Sequence, residues 1–276
     1  DRNLACCNVE AITGGRLNAI IQGAKFEQPI YERILHAMVS RLKDSNNLGS
    51  LLRPECDLER LIDEEQGKVD RSMGLLPGMG ETDLFTIDTA EKREQFFANL
   101  ARDIAARLDA FVQTSRAVGK DESHFVGETA KGLNFLRLVQ SRYDVVATNP
   151  PYLSGRKMNK RLATLMAEEY PDCKGDLYAA FIQRCSELLD PRGLMGMLTM
   201  HSYMFISSYE ELRVRLRGQV SIQTMAHFGG GLFAVGNPGT LQTTAFIFEK
   251  QPDPNRRNTS MGVYFRLVKE RDADAK

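Results

Sequence analysis

The stretch Tyr143 to Tyr152, YDVVATNPPY, restricts this chain more than any other. From Asp144 to Thr148 it is short, apolar and rich in β-branched side chains, the composition of a buried parallel strand. Asn149-Pro150-Pro151-Tyr152 then ends the strand. Consecutive prolines fix φ and remove two backbone donors, so neither a ladder nor a helix continues through them. The residue before a proline is pushed towards extended geometry. The pattern predicts a stiff turn at the carboxyl end of an interior strand, the edge where open, mostly parallel α/β sheets place their ligand crevice.

Such a turn has a chemical use. The side-chain oxygen of Asn149 and the carbonyl of Pro150 are neutral acceptors held in fixed relation by the proline pair. An exocyclic amino group on a planar base has two N–H bonds that satisfy both. Its nitrogen then keeps the electron density needed to attack an electrophilic methyl carbon. Tyr152 offers a ring face on which an extruded base stacks, worth about 1–3 kcal/mol. Stacking needs no hydroxyl, so Tyr152→Phe is expected to be nearly silent. By themselves the four residues fit a strand-ending turn with a packed tyrosine equally well.

Composition excludes several other classes. The chain has 276 residues, enough for one large or two small domains, and is 42% hydrophobic and 26% charged, as a chain with a packed core is. No apolar run approaches the ~20 residues of a membrane span, and no signal peptide opens the chain, so a cytoplasmic location without membrane contact is expected. The five cysteines, including the adjacent Cys6-Cys7, form no CxxC or Cys/His ligand pattern. They read as reduced, buried thiols, and no metal is expected. The formal net charge is zero, so contact with nucleic acid would have to rest on local patches.

The chain before Tyr143 reads as largely helical. Residues 25–44 carry apolar side chains at three-and-four spacing, and residues 58–66 read as a short acidic helix. Residues 87–118 make the clearest amphipathic pattern, with Phe96, Phe97, Leu100, Ile104, Leu108 and Phe111 as a core stripe. A further helix over residues 128–142 leads into the strand. After the turn, Arg156, Lys157, Lys160 and Arg161 cluster beside it, where they could neutralise phosphates or simply be solvated. Asp176 caps a helix to about Leu189. Pro191-Arg192-Gly193 turns into a strand from Leu194 to Met200, and Ser207 begins another helix. Residues 221–228 and 241–249 read as a final pair of reversed strands, residues 251–260 as a linker, and residues 263–268 as a last strand. GGGLFAVGNPG lacks the GxGxxG order and is not followed by a helix, so it is no phosphate cradle.

YDVVATNPPY resembles motif IV of the amino-methylating DNA methyltransferases. MNKRLATLMAEEYPDCKGDLYAAFIQRC, GLMGMLTMHSYMFISSYEELR and MAHFGGGLFAVGNPGTLQTTAFIFEK resemble the PglX adenine-specific methyltransferases of BREX phage-defence systems. NLGSLLRPE and GVYFRLVKE are weaker echoes. The resemblance is strong over residues 143–250. It implies an α/β fold, the late half of a Rossmann-like S-adenosylmethionine-dependent methyltransferase sheet, preceded by a mostly helical insert. Residues 1–142 would be the insert region, 143–250 the catalytic core, and 251–276 a linker and the start of a following segment.

The resemblance also implies the chemistry. Asn149, Pro150, Pro151 and Tyr152 would form the catalytic turn for the 6-amino group of an adenine flipped from double-stranded DNA. Leu177 and Tyr178 would lie near the adenine of the cofactor, with core packing as the alternative. Other phage-defence subunits are possible partners. The glycine-rich turn and ribose-binding acid that hold S-adenosylmethionine are not found: Gly14-Gly15 and the glycines from Gly74 to Gly80 have no strand before them. The chain therefore reads as the middle and late part of an enzyme, inactive when isolated. Two alternatives stay open at this point. One is a protein glutamine methyltransferase, whose planar amide makes the same demands. The other is a non-catalytic DNA-binding or scaffold subunit.

Overall fold

The computed structural model describes residues 141–233 and 241–269, with isolated positions before them. The chain divides into two compact units, residues 1–141 and 142–276. The helices predicted ahead of Tyr143 lie outside the described residues apart from those isolated positions. The elements of the second unit run β1 (Tyr143–Thr148), α1 (Lys160–Glu169), α2 (Leu177–Glu187), β2 (Leu189–Met200), α3 (Glu210–Gln219), β3 (Val220–Gly229), β4 (Thr243–Lys250), α4 (Pro254–Thr259) and β5 (Val263–Arg266). Among the described residues no helix is long and apolar enough to cross a membrane.

The five strands form one sheet in the order β1-β2-β4-β3-β5. β1 runs parallel to β2 and β5 parallel to β3, whereas β4 is antiparallel to both of its neighbours. The sheet is mixed, not mostly parallel, because the chain reverses between β3 and β4 and inserts β4 beside β2. Among the described residues β1 is an edge strand, with β5 at the other edge, where an interior strand is predicted, and Val145 is 64% exposed. An apolar β-branched run announces a strand suited to burial, but nothing local states how many neighbours it has.

Helix α2 is where local and tertiary signals agree. Asp176 accepts from the N–H of Tyr178 and caps the helix. Leu177, Tyr178, Ile182 and Cys185 are buried, and α2 packs against β2 and α3. Burial pushes the Cys185 thiol up to about 12, and Cys173 is also buried and unbridged. Arg184, 1% exposed, meets Glu187 one turn on at 3.7 Å.

Two local readings change. Pro191-Arg192-Gly193 does not precede the strand but bulges within it. Tyr143 pairs with Leu189 and Val145 with Leu194, so the extra residues sit on β2. Arg192 takes φ 70, and a Cβ on Gly193 would lie 2.8 Å from the Tyr143 carbonyl oxygen, so only glycine fits without a shift. The supposed linker holds a helix, α4, whose N-cap Asp253 accepts from Asn255 and Arg256 with Pro254 in the first turn. Its polar composition hid a cap signal that was present in the sequence.

The core beneath β4 is aromatic. Phe246 and Phe248 stack with ring centroids 4.0 Å apart, and Tyr203 meets Phe246 edge-on at 5.9 Å. Phe246→Ala is expected to cost about 3–5 kcal/mol in chemical denaturation. A loss below about 1 kcal/mol would show that this stack is not core.

Candidate active site

The parallel ladder of β1 and β2 ends with Thr148 opposite Met197. Asn149 follows and is exposed, Pro150 is buried, Pro151 is exposed and Tyr152 is half-buried. The chain thus leaves the sheet at its carboxyl edge with the Asn149 side chain open to approach. The Tyr152 hydroxyl points back to the sheet. It lies 3.1 Å from the carbonyl oxygen of Leu198, one residue past the last β1 pair, and 3.2 Å from Oδ1 of Asn149. Burial raises the Tyr152 phenol above its ordinary value, so it stays protonated and acts as a donor near neutral pH. The hydroxyl that stacking does not need has two acceptors, so the expectation that it is dispensable does not fit this geometry.

The residues after the turn are tied to the start of α2. Oδ1 of Asp176 accepts from the backbone N–H of Leu153 at 3.0 Å and from that of Tyr178 at 3.4 Å. Leu177 N–H donates to the Leu153 carbonyl at 3.0 Å, and Gly155 N–H to the Gly175 carbonyl at 3.0 Å. One carboxylate therefore both caps a helix and fixes the strand-like segment leaving NPPY. Burial raises the Asp176 pKa, and the backbone donors to its carboxylate oppose that rise. From sequence Asp176 was only a helix cap. Its second bond crosses 23 residues, and no local pattern reports it.

Leu177 and Tyr178 are 7% and 0% exposed. The Tyr178 hydroxyl lies 2.7 Å from Oγ of Ser202, and its ring meets Tyr152 and Tyr209 edge-on at 6.3 and 6.0 Å. Both side chains are buried, and the Tyr178 ring lies edge-on to Tyr152 of the turn. Arg156, Lys157, Lys160 and Arg161 are all exposed. The first two lie in the single turn Gly155–Lys157, the others in the first turn of α1, which Asn159 caps by accepting from Leu162 at 2.9 Å. Cations at a helix N-terminus oppose the macrodipole, so Lys160 and Arg161 do not stand there to stabilise α1. The structure also places a histidine pair on this edge of the sheet. Nδ1 of His201 and Nε2 of His227 are 2.8 Å apart, with Phe205 against both rings. Burial lowers both imidazoles, helped by His227 for His201 and by Arg266 for His227. Their separation along the chain left no sequence signal.

The turn thus sits at the carboxyl edge of the sheet with Asn149 exposed, Pro150 buried and Oδ1 of Asn149 accepting from the Tyr152 hydroxyl. The chain belongs to the Eco57I restriction-modification methylase family, whose model matches residues 34–233. It is 37% identical over 139 residues to the adenine-specific methyltransferase BrxX of Escherichia coli O9:H4 (strain HS), a match covering 50% of this chain and 11% of that protein. It is 38% identical over 132 residues to the adenine-specific methyltransferase PglX of Lacticaseibacillus casei (strain Zhang), covering 48% of this chain and 11% of the relative. Among solved structures, the M protein of the type I restriction enzyme EcoKI overlays 40% of this chain and 21% of its own at 19% identity, with a TM-score of 0.28. The family match begins at residue 34 and so includes much of the region predicted to be an insert. The mixed α/β sheet agrees with a Rossmann-like methyltransferase fold.

The Asp176 tie is open to a direct check. Asp176→Ala is expected to cost about 1 kcal/mol of stability and to speed hydrogen exchange at the Leu153 amide. Asp176→Asn keeps an oxygen acceptor and should restore most of both. Equal exchange at Leu153 in wild type and Asp176→Ala would contradict the tie.

Proposed function

We propose that this chain carries the amine-holding site of an enzyme that methylates the exocyclic 6-amino group of adenine in double-stranded DNA. The observation that carries this reading is the Asn149-Pro150 pair of acceptors, held at the carboxyl end of β1 by two prolines and by the Asp176 tie. An amine paired inside a duplex cannot reach protein acceptors, so the target base must leave the stack. Asn149 and the Pro150 carbonyl each accept one N–H of that amine, which orients its lone pair and excludes competing donors. The Tyr152 ring supports the extruded base from one side. Arg156, Lys157, Lys160 and Arg161 hold the neighbouring phosphates, at a place where their charge does nothing for the helix they begin. S-adenosylmethionine, when bound, supplies the electrophilic methyl group. The names of the curated relatives point to adenine over cytosine, and one of them belongs with the phage-defence methyltransferases that the sequence resembles, where further subunits would be partners.

The test is tritiated methyl transfer to duplex DNA by the natural full-length protein. Asn149→Ala removes an acceptor made to the reacting nitrogen and should slow transfer by roughly 10²–10³-fold, while changing DNA affinity little. Asn149→Asp keeps an acceptor and should retain part of the activity. Transfer at the parental rate by Asn149→Ala, or DNA binding lost in proportion to rate, would overturn the reading.

A further inference from the structure

The Tyr152 hydroxyl has one proton and two acceptors, the Leu198 carbonyl at 3.1 Å and Asn149 Oδ1 at 3.2 Å. The Leu198 carbonyl can only accept. The Asn149 amide has an accepting end and a donating end of nearly the same shape, related by a half turn about its side-chain bond. Two settings follow. In one the phenol donates to Asn149 Oδ1, and the amide turns its NH₂ to the open side of the turn. In the other the phenol donates to Leu198, and the Asn149 NH₂ donates to the phenol oxygen. Oδ1 then faces outward.

Only the second setting suits an incoming amine. A target amino group brings N–H donors, which an outward NH₂ repels and an outward Oδ1 accepts. Asn149 is exposed and, among the described residues, only Tyr152 meets its amide, so the choice falls to Tyr152. We propose that the Tyr152 hydroxyl, anchored on the β2 carbonyl of Leu198, is a positioning group that sets which end of the Asn149 amide meets the target amine. The proposal rests on the reading that Asn149 accepts from that amine. It assigns Tyr152 a second role that is separate from ring stacking. Leu198 fixes the hydroxyl because its carbonyl belongs to the sheet and cannot turn.

A double-mutant cycle tests it, in the full-length protein under single-turnover conditions with saturating DNA and methyl donor. Tyr152→Phe keeps the ring, so 2-aminopurine fluorescence at the target position and DNA affinity should match wild type. The methyl-transfer rate should fall on the order of two- to tenfold, the worth of one hydrogen bond. Asn149→Asp replaces the amide by a carboxylate whose two oxygens are equivalent and leaves no orientation to set. In that background Tyr152→Phe should cost less than about twofold more, which shows as coupling in the cycle. A parental rate for Tyr152→Phe overturns the proposal, as does the same loss in both backgrounds. A hydroxyl with only a structural role would lower the melting temperature and act additively, which also overturns it. Parental activity in Asn149→Ala would instead strike the underlying reading and take this proposal with it.

Discussion

Two prolines after Thr148 stop the parallel ladder between β1 and β2, and the rest of the site depends on how the ends left by that stop are tied down. On β2, the carbonyl of Leu198 lies one residue beyond the last pair and receives the Tyr152 hydroxyl. On the departing chain, the N–H of Leu153 goes to Asp176. A buried or half-buried backbone group without a partner costs about as much as a lost hydrogen bond. The two ties therefore do more than fill vacancies. They fix the turn between them, so that Asn149 leaves the sheet in one direction.

The tie at Asp176 links the turn to the core. Its carboxylate sits at the N-terminus of α2, where the helix dipole favours negative charge. The same oxygen accepts from Leu153, so the geometry of the turn is coupled to whether α2 is in place. Tyr178, the second residue of α2, is sealed beneath Tyr152 and bonded to Ser202 after β2. Disturbing the packing of α2 should be felt at the turn before it is felt elsewhere, because the exposed side of the turn carries few contacts of its own.

How much of this was legible in the sequence follows from the range of each signal. The strand, its stop and the cap of α2 are written within a few residues: a β-branched run, Pro150-Pro151 and Asp176. The reversal between β3 and β4 was also readable from two strand patterns separated by a glycine-rich stretch. The outer position of β1 among the described strands and the parallel addition of β5 to β3 depend on contacts far apart in the chain, and no local pattern carries them. The bulge at Arg192-Gly193 was mistaken for a turn because Pro and Gly punctuate both. Leu177 and Tyr178, for which the resemblance implies the cofactor side with core packing as the alternative, are buried on the helix face they occupy. The Tyr152 hydroxyl was set aside because stacking does not need it. Its partner, a backbone carbonyl 46 residues away, leaves no mark on the sequence.

On the proposed reading the turn is an amine holder that is assembled before its substrate arrives. The measurement that tests this most directly is a structure of the full-length protein with a duplex carrying its methylation site and an unreactive analogue of the methyl donor. The account predicts an adenine turned out of the helix, its 6-amino nitrogen within about 3 Å of both Asn149 Oδ1 and the Pro150 carbonyl, its ring against Tyr152. An adenine left stacked in the duplex, or one turned out and held by other residues while Asn149 faces solvent, would contradict it.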